Sequence, residues 1–384
     1  MSNAESPAVL RGMTWDHPRG YDPLVACSAG WRELTSVEIR WDRRSLQDFE
    51  SYPVEQLARR YDLIVIDHPH VGQVTAEGCL LALDSESREL ELGALAQSSV
   101  GPSFATYAWQ GRQWALPIDA AAQVQAWRPD MIRSCASCWE HVIEMAREGL
   151  VQCPMQPPHS LMCLYTLTAN LGKPCRTENG ILIAEDAGTE AYDLIAELAE
   201  HMSRDCFQMN PIAILEAMAT PGATIACVPL IYGYASYAVE GFRPFRIHFA
   251  DMPAAGSSGP RGSALGGTGI AVSAYSAHRK EALEFAYWIA SGPVQRNLYA
   301  LFGGQPGHAD AWAASEVDAA AGGFYQHTRQ TLEGSWVRPR HSGYMPFQHW
   351  ASNRLNQGLM QRERAASVIA DLNRAYAASF LIQA

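Results

Sequence analysis

Asp16-His17-Pro18 and Asp67-His68-Pro69 repeat one tripeptide in a chain of 384 residues, and each follows a short apolar run. A carboxylate beside an imidazole can pass a proton near neutral pH. The neighbours allow a second chemistry. Trp15, Trp41 and Arg43 near these acids and histidines put aromatic, acidic and basic groups together, as the lining of a polar pocket does.

The elements that must position these groups follow from periodicity. Apolar runs at residues 10–15 and 63–66 stop at Asp-x-Pro, and a third at 37–41 alternates and breaks at Asp42-Arg43-Arg44-Ser45; these read as strands ending in turns. Residues 21–34 and 46–60 carry apolar positions at helical spacing, the second interrupted by Pro53. Strand, helix, strand, helix, strand implies right-handed crossovers and a parallel sheet covered on both faces. All carboxyl ends then lie on one side, so Trp15-Asp16-His17, Trp41-Asp42-Arg43 and Ile66-Asp67-His68 should share one rim, where open α/β sheets bind ligands. Asp and Pro after a strand are also ordinary turn formers. Trp, His and Arg are not, and they make the rim read as a polar pocket. The two histidines read equally well as satisfied structural groups, and Trp41 and Trp127 equally well as core.

Length predicts two domains. At 48% apolar and 18% charged residues the composition is globular. A net charge of −11 argues against a nucleic-acid backbone or an anionic membrane as partner. No apolar run approaches the length of a spanning helix. Nine cysteines cannot form a complete disulfide framework and read as buried thiols. No signal peptide is visible at the amino terminus. Met1-Ser2-Asn3-Ala4 reads as a cloning scar joined to a mature chain, which would hide an export signal; otherwise the protein is cytosolic.

Further along, aromatic alternation broken at Gln110-Gly111 predicts a hairpin delivering the chain to Pro117. Residues 131–148 and 190–204 predict helices, 223–229 and 245–252 strands, and 254–269 a Gly/Ser/Pro-rich loop. Residues 269–274 are strand-like. Ser276 is placed to cap a helix over 277–290, and the last helix falls at about 363–380.

The ordered set Gly111-Arg112-Gln113-Trp114-Ala115-Leu116-Pro117, Gly266-Gly267-Thr268-Gly269-Ile270-Ala271-Val272-Ser273, Ala282-Leu283-Glu284-Phe285-Ala286-Tyr287-Trp288-Ile289, Gln295 and Gly303-Gly304-Gln305-Pro306 resembles the extracellular solute-binding proteins of ABC importers, the type 1 sugar-binding class. The resemblance implies an α/β, two-lobed periplasmic-binding-protein fold, each lobe a sheet flanked by helices, with a ligand cleft between the lobes and closure by hinge motion. Lobe one would be residues 1–117 and 254–311, lobe two 118–253 and 312–384. It implies a non-catalytic receptor, monomeric and periplasmic or extracellular, that passes a sugar or polyol to membrane permease subunits. The site would draw Trp15, Asp16, His17, Arg19, Trp41, Asp67 and His68 from lobe one. Asp119, Trp127, Tyr232, Tyr234 and Trp336 would come from the crossover and lobe two, with Gly266 and Gly267 letting backbone approach the ligand. The rims leave carboxylate and amine ligands open as well as sugars.

Sharper motifs fail. Gly266-Gly267-Thr268-Gly269 lacks the Lys and Ser/Thr of a phosphate loop, and neither a GxSxG elbow nor a His-Glu-x-x-His helix is present. Cys135-Ala136-Ser137-Cys138 sits in a predicted helix without a second Cys/His pair. No cofactor or metal is expected. The competing reading is an enzyme on the same fold in which Asp16, His17, Asp67 and His68 act as general acid and base.

Overall fold

A computed structural model describes residues 8–51, 53–84 and 86–382, so Met1-Ser2-Asn3-Ala4 lies outside the described residues. The chain divides into two compact units. Unit one takes the chain up to Ala120 together with Gly267–Val317, and unit two takes Ala121–Gly266 and the chain from Asp318 on. The divisions fall after residues 120, 266 and 317, against expected divisions after 117, 253 and 311.

Unit one begins with β1 (Val9–Trp15), a helix Pro18–Thr35, β2 (Glu38–Arg44), two short helices Leu46–Ser51 and Val54–Ala58 on either side of Pro53, and β3 (Leu63–Ile66). β1 pairs in parallel with both β2 and β3. All four residues of β3 are buried, the continuous apolar signature of a strand covered on both faces. β2 is different. Its charged residues Arg40, Asp42 and Arg43 are exposed, which suits an edge strand and lets it run on to Arg44 rather than stop at Trp41. Trp41 therefore pairs with Gly12 in mid-strand, and Arg44 stands opposite Trp15. The expectation that Trp41-Asp42-Arg43 marks a rim is corrected: a break in apolar alternation records solvent on an edge, not the end of pairing.

A short hairpin, β4 (Ala108–Trp109) and β5 (Arg112–Gln113), leads into the long β6 (Leu116–Trp127), along which the chain passes into unit two. There β7 (Cys227–Tyr232) and β8 (His248–Ala250) both pair antiparallel with β6. The chain returns along β9 (Leu265–Val272), antiparallel to β3, with Gly269 opposite Ile66. The strand starts inside the segment read as a loop, because buried Leu265 and Thr268 pack despite their glycine neighbours.

The unit-one core gathers Leu10, Met13, Leu63, Ile64, Ile270, Val272, Phe285 and Ile289, the last two from the helix Arg279–Ala290. The unit-two core is helical: His159–Asn170, Glu185–His201, Tyr344–Gln361 and Ala365–Ser379 pack around Leu161, Tyr165, Ile195, Leu355, Ile369 and Leu372. Glu185–His201 shows why such helices form. Glu185 and Asp186 lie at its positive end, His201 in its last turn, and Ala187, Ala191, Ile195 and Leu198 make the buried stripe. The helix expected over 131–148 begins only at Trp139, so Cys135 and Cys138 precede it rather than ride on it. Among the described residues no helix is long and apolar enough to cross a membrane.

Candidate functional site

In unit one the carboxyl ends of β1 and β3 do meet at one edge, since Gly12 and Met13 are in register with Leu63 and Ile64. His17 caps the helix that follows β1. Its extended backbone turns the chain, Pro18 supplies the first helical residue, and its Nδ1 accepts the Arg19 backbone N–H at 3.0 Å. That bond puts the proton of the neutral ring on Nε2. One residue into the helix, Arg19 turns its guanidinium onto Asp119 of β6, donating from Nε at 2.8 Å and from Nη2 at 2.5 Å to the two carboxylate oxygens. Their side chains are 5% and 0% exposed, so this is a buried bidentate pair. Burial pushes the Asp119 carboxyl up from its ordinary value, and the Arg19 guanidinium pulls it back.

At the end of β3, Asp67 caps a single helical turn by accepting the His68 backbone N–H at 2.8 Å, with His68 Nδ1 3.2 Å from the same oxygen. His68 is fully buried, edge-on to Tyr107 at 6.4 Å, and Tyr107 donates from its hydroxyl to the Ile66 carbonyl. Asp16 faces solvent and pairs with Arg43 at 3.2 Å. The four groups of the acid–base reading are thus already engaged: two as caps, one in a surface ion pair, one packed on a tyrosine. Trp15 is 3% exposed against Phe49, and Trp41 is 8% exposed, donating from Nε1 to Ser28 Oγ at 2.8 Å.

Gly267 starts the unit-one part of β9 with φ +90°, a conformation an L side chain resists. Thr268 beside it is buried, and its hydroxyl has no hydrogen-bond partner among the described residues. With Gly269 opposite Ile66, Thr268 lies at the same edge as Asp67.

Unit two holds the second group. Tyr232 ends β7 half-buried, and its ring lies so close to Gly266 that a Cβ there would meet Cε1 at 2.6 Å; glycine is required for the aromatic to lie on the strand. Its other neighbour is His159, edge-on at 6.2 Å. Trp336 is also half-buried. It exchanges backbone bonds with Ser263 and Leu265 and tilts against Tyr165 at 5.0 Å. Tyr234 turns into the protein against Tyr237, and Trp127 lies edge-on to His248 at 5.4 Å.

His159 was not legible as a site residue; its sequence signal is only the Pro157-Pro158 pair before an apolar helix. It is 2% exposed, neither ring nitrogen has a hydrogen-bond partner among the described residues, and burial, with the Arg338 guanidinium adding to it, pushes its pKa down to about 3. The ring is therefore neutral near pH 7, presenting one donor and one acceptor. Buried polar atoms left alone cost about 1–3 kcal/mol each, so such a group calls for a solute or an ordered water. Among the described residues no group of three or more His, Cys, Asp or Glu side chains is placed to hold a metal ion.

No family model and no curated protein matches the chain. Solved structures do. An ABC transporter solute-binding protein from Agrobacterium radiobacter K84, in complex with ribitol, is 16% identical over 97% of this chain and 98% of its own, with a TM-score of 0.79. Maltose-bound MalE3 of T. maritima is 13% identical over 98% and 100%, TM-score 0.83. An ABC transporter solute-binding protein from Thermotoga lettingae TMO, bound with alpha-D-tagatose, is 14% identical over 97% and 100%, TM-score 0.82. The likeness is one of fold: this chain has the two-lobed periplasmic-binding-protein fold, a mixed α/β architecture with helices flanking its sheet.

Proposed function

We propose that the protein is the solute-binding component of an ABC importer, taking up a sugar or related polyol and presenting it to membrane permease subunits outside the cytoplasm. The observation that supports this most is the match of fold over 97–98% of the chain to proteins whose structures hold ribitol, maltose and tagatose. The chemistry agrees with it. Within unit two, Tyr232 and Trp336 offer aromatic faces and His159 offers ring nitrogens without a hydrogen-bond partner among the described residues. Within unit one, Thr268 offers a hydroxyl of the same kind, and Arg19 and Asp119 neutralise each other in a buried pair. No turnover is expected, since His17 and Asp67 serve as caps, Asp16 pairs with Arg43 and His68 packs against Tyr107.

The test is thermal unfolding of the whole chain across sugars, polyols, carboxylic acids and polyamines. A ligand at a hundred times its Kd should add about 2.7 kcal/mol. A sugar or polyol hit that weakens at least tenfold in Trp336→Ala and in Tyr232→Ala, with the solute recovered unchanged, supports the proposal. Hits confined to acids or amines, or conversion of the solute, refute it.

A further inference from the structure

Cys153 and Cys163 have their sulfurs 3.9 Å apart in the unit-two core, on two segments that the fold presses together. Cys153 belongs to the extended stretch beside β7: Val151 bridges to Cys227, and the Cys153 thiol donates to the Leu230 carbonyl at 3.3 Å. Cys163 belongs to the helix His159–Asn170, where it accepts the Gln123 side-chain N–H at 3.5 Å. It lies four residues after His159, on the same helix face.

We propose that this pair is a disulfide site, filled when the chain folds against an oxidant of the small-molecule disulfide class. A thiolate of one cysteine attacks a sulfur of the small disulfide and expels one thiol; the second cysteine then attacks the mixed disulfide and expels the other. Two protein thiols are oxidised and one small disulfide is reduced to two thiols, so atoms and electrons balance. The bond closes a short loop through Pro157-Pro158 and ties the helix bearing His159 to the edge of β7 bearing Tyr232. This inference stands apart from the identity of the solute.

Timing follows from burial. Both residues are at most 1% exposed and burial pushes the Cys153 thiol up, so the folded, reduced protein should react slowly and the bond should form during folding. Cys206 also lies near Cys153 and is the competing partner.

The full chain is refolded from denaturant with reduced and oxidised glutathione, alkylated, and cleaved with cyanogen bromide, which cuts at Met155 and Met162 between the two cysteines. The expected product is a fragment containing Cys153 joined to one containing Cys163 until reduction, tandem spectra placing the bond on Cys163 rather than Cys175. The oxidised protein should melt higher than the reduced one by about 3–8 °C, a shift absent in Cys163→Ala. Full alkylation of both cysteines after oxidative refolding, a Cys153–Cys206 bond instead, or a bridged protein lacking native circular dichroism each overturns the proposal.

Discussion

Arg19→Met is the substitution with the sharpest consequence. It keeps the length of the side chain and removes the guanidinium, leaving the Asp119 carboxylate, 0% exposed, without the two charge-assisted bonds it now accepts. Removing one partner of a buried pair costs about 3–5 kcal/mol, because the remaining charge has neither water nor counter-charge. In a domain of this size each kcal/mol moves the midpoint by roughly 2–4 °C, so the variant should melt about 6–20 °C lower at pH 7. The pH dependence carries the mechanism. Burial already holds the Asp119 carboxyl above its ordinary value, and loss of Arg19 removes the influence that lowers it. A folded carboxyl with a raised pKa holds a proton that the unfolded chain has released, so its penalty grows as pH rises and is relieved as pH falls. The deficit of Arg19→Met against wild type should therefore be smaller at pH 5 than at pH 7. Arg19→Met with Asp119→Leu should recover most of the loss, since an apolar pair of similar volume needs no compensation. Urea unfolding followed by circular dichroism reads all three. A single variant within 1 kcal/mol of wild type, or a deficit unchanged between the two pH values, would refute the reasoning.

His159 should make the protein acid-sensitive. Its folded pKa is lowered to about 3 while the unfolded imidazole titrates near 6.5, so stability is present above pH 6.5 and falls below it by roughly 1.4 kcal/mol per unit, about 2 kcal/mol at pH 5. His159→Phe should flatten that slope in urea titrations at pH 5 and 7; equal slopes would contradict the assignment. The two tryptophans should behave as core. A Cβ at Gly12 would lie 2.4 Å from the Trp41 ring and one at Gly20 2.3 Å from Trp15, so Gly12→Ala and Gly20→Ala should each cost about 1–3 kcal/mol. Gly93→Ala, which meets nothing within 4 Å, should be neutral or gain up to about 1 kcal/mol.

Local chemistry in the sequence determined a good part of this molecule. The apolar runs at 10–15 and 63–66 are strands, and Asp-His-Pro marks the caps after them because Asp and His accept backbone N–H groups and Pro opens a helix or turn. The alternation of strands and helices gave parallel pairing of β1 with β2 and β3, since periodicity depends only on neighbours along the chain. The ordered motifs carried the fold, which the solved structures bear out.

What the sequence left open depended on partners far along the chain. That Arg19 meets Asp119, a hundred residues on, is set by where β6 runs beside the first helix. That β9 opposes β3 antiparallel is set by the chain returning through unit two, and that Trp41 sits over Gly12 rather than on a rim is set by strand register. His159 needed the unit-two core around it before an ordinary helix-start histidine became neutral and without hydrogen-bond partners among the described residues. Desolvation and register are properties of the packed molecule, and only the tertiary structure decides them.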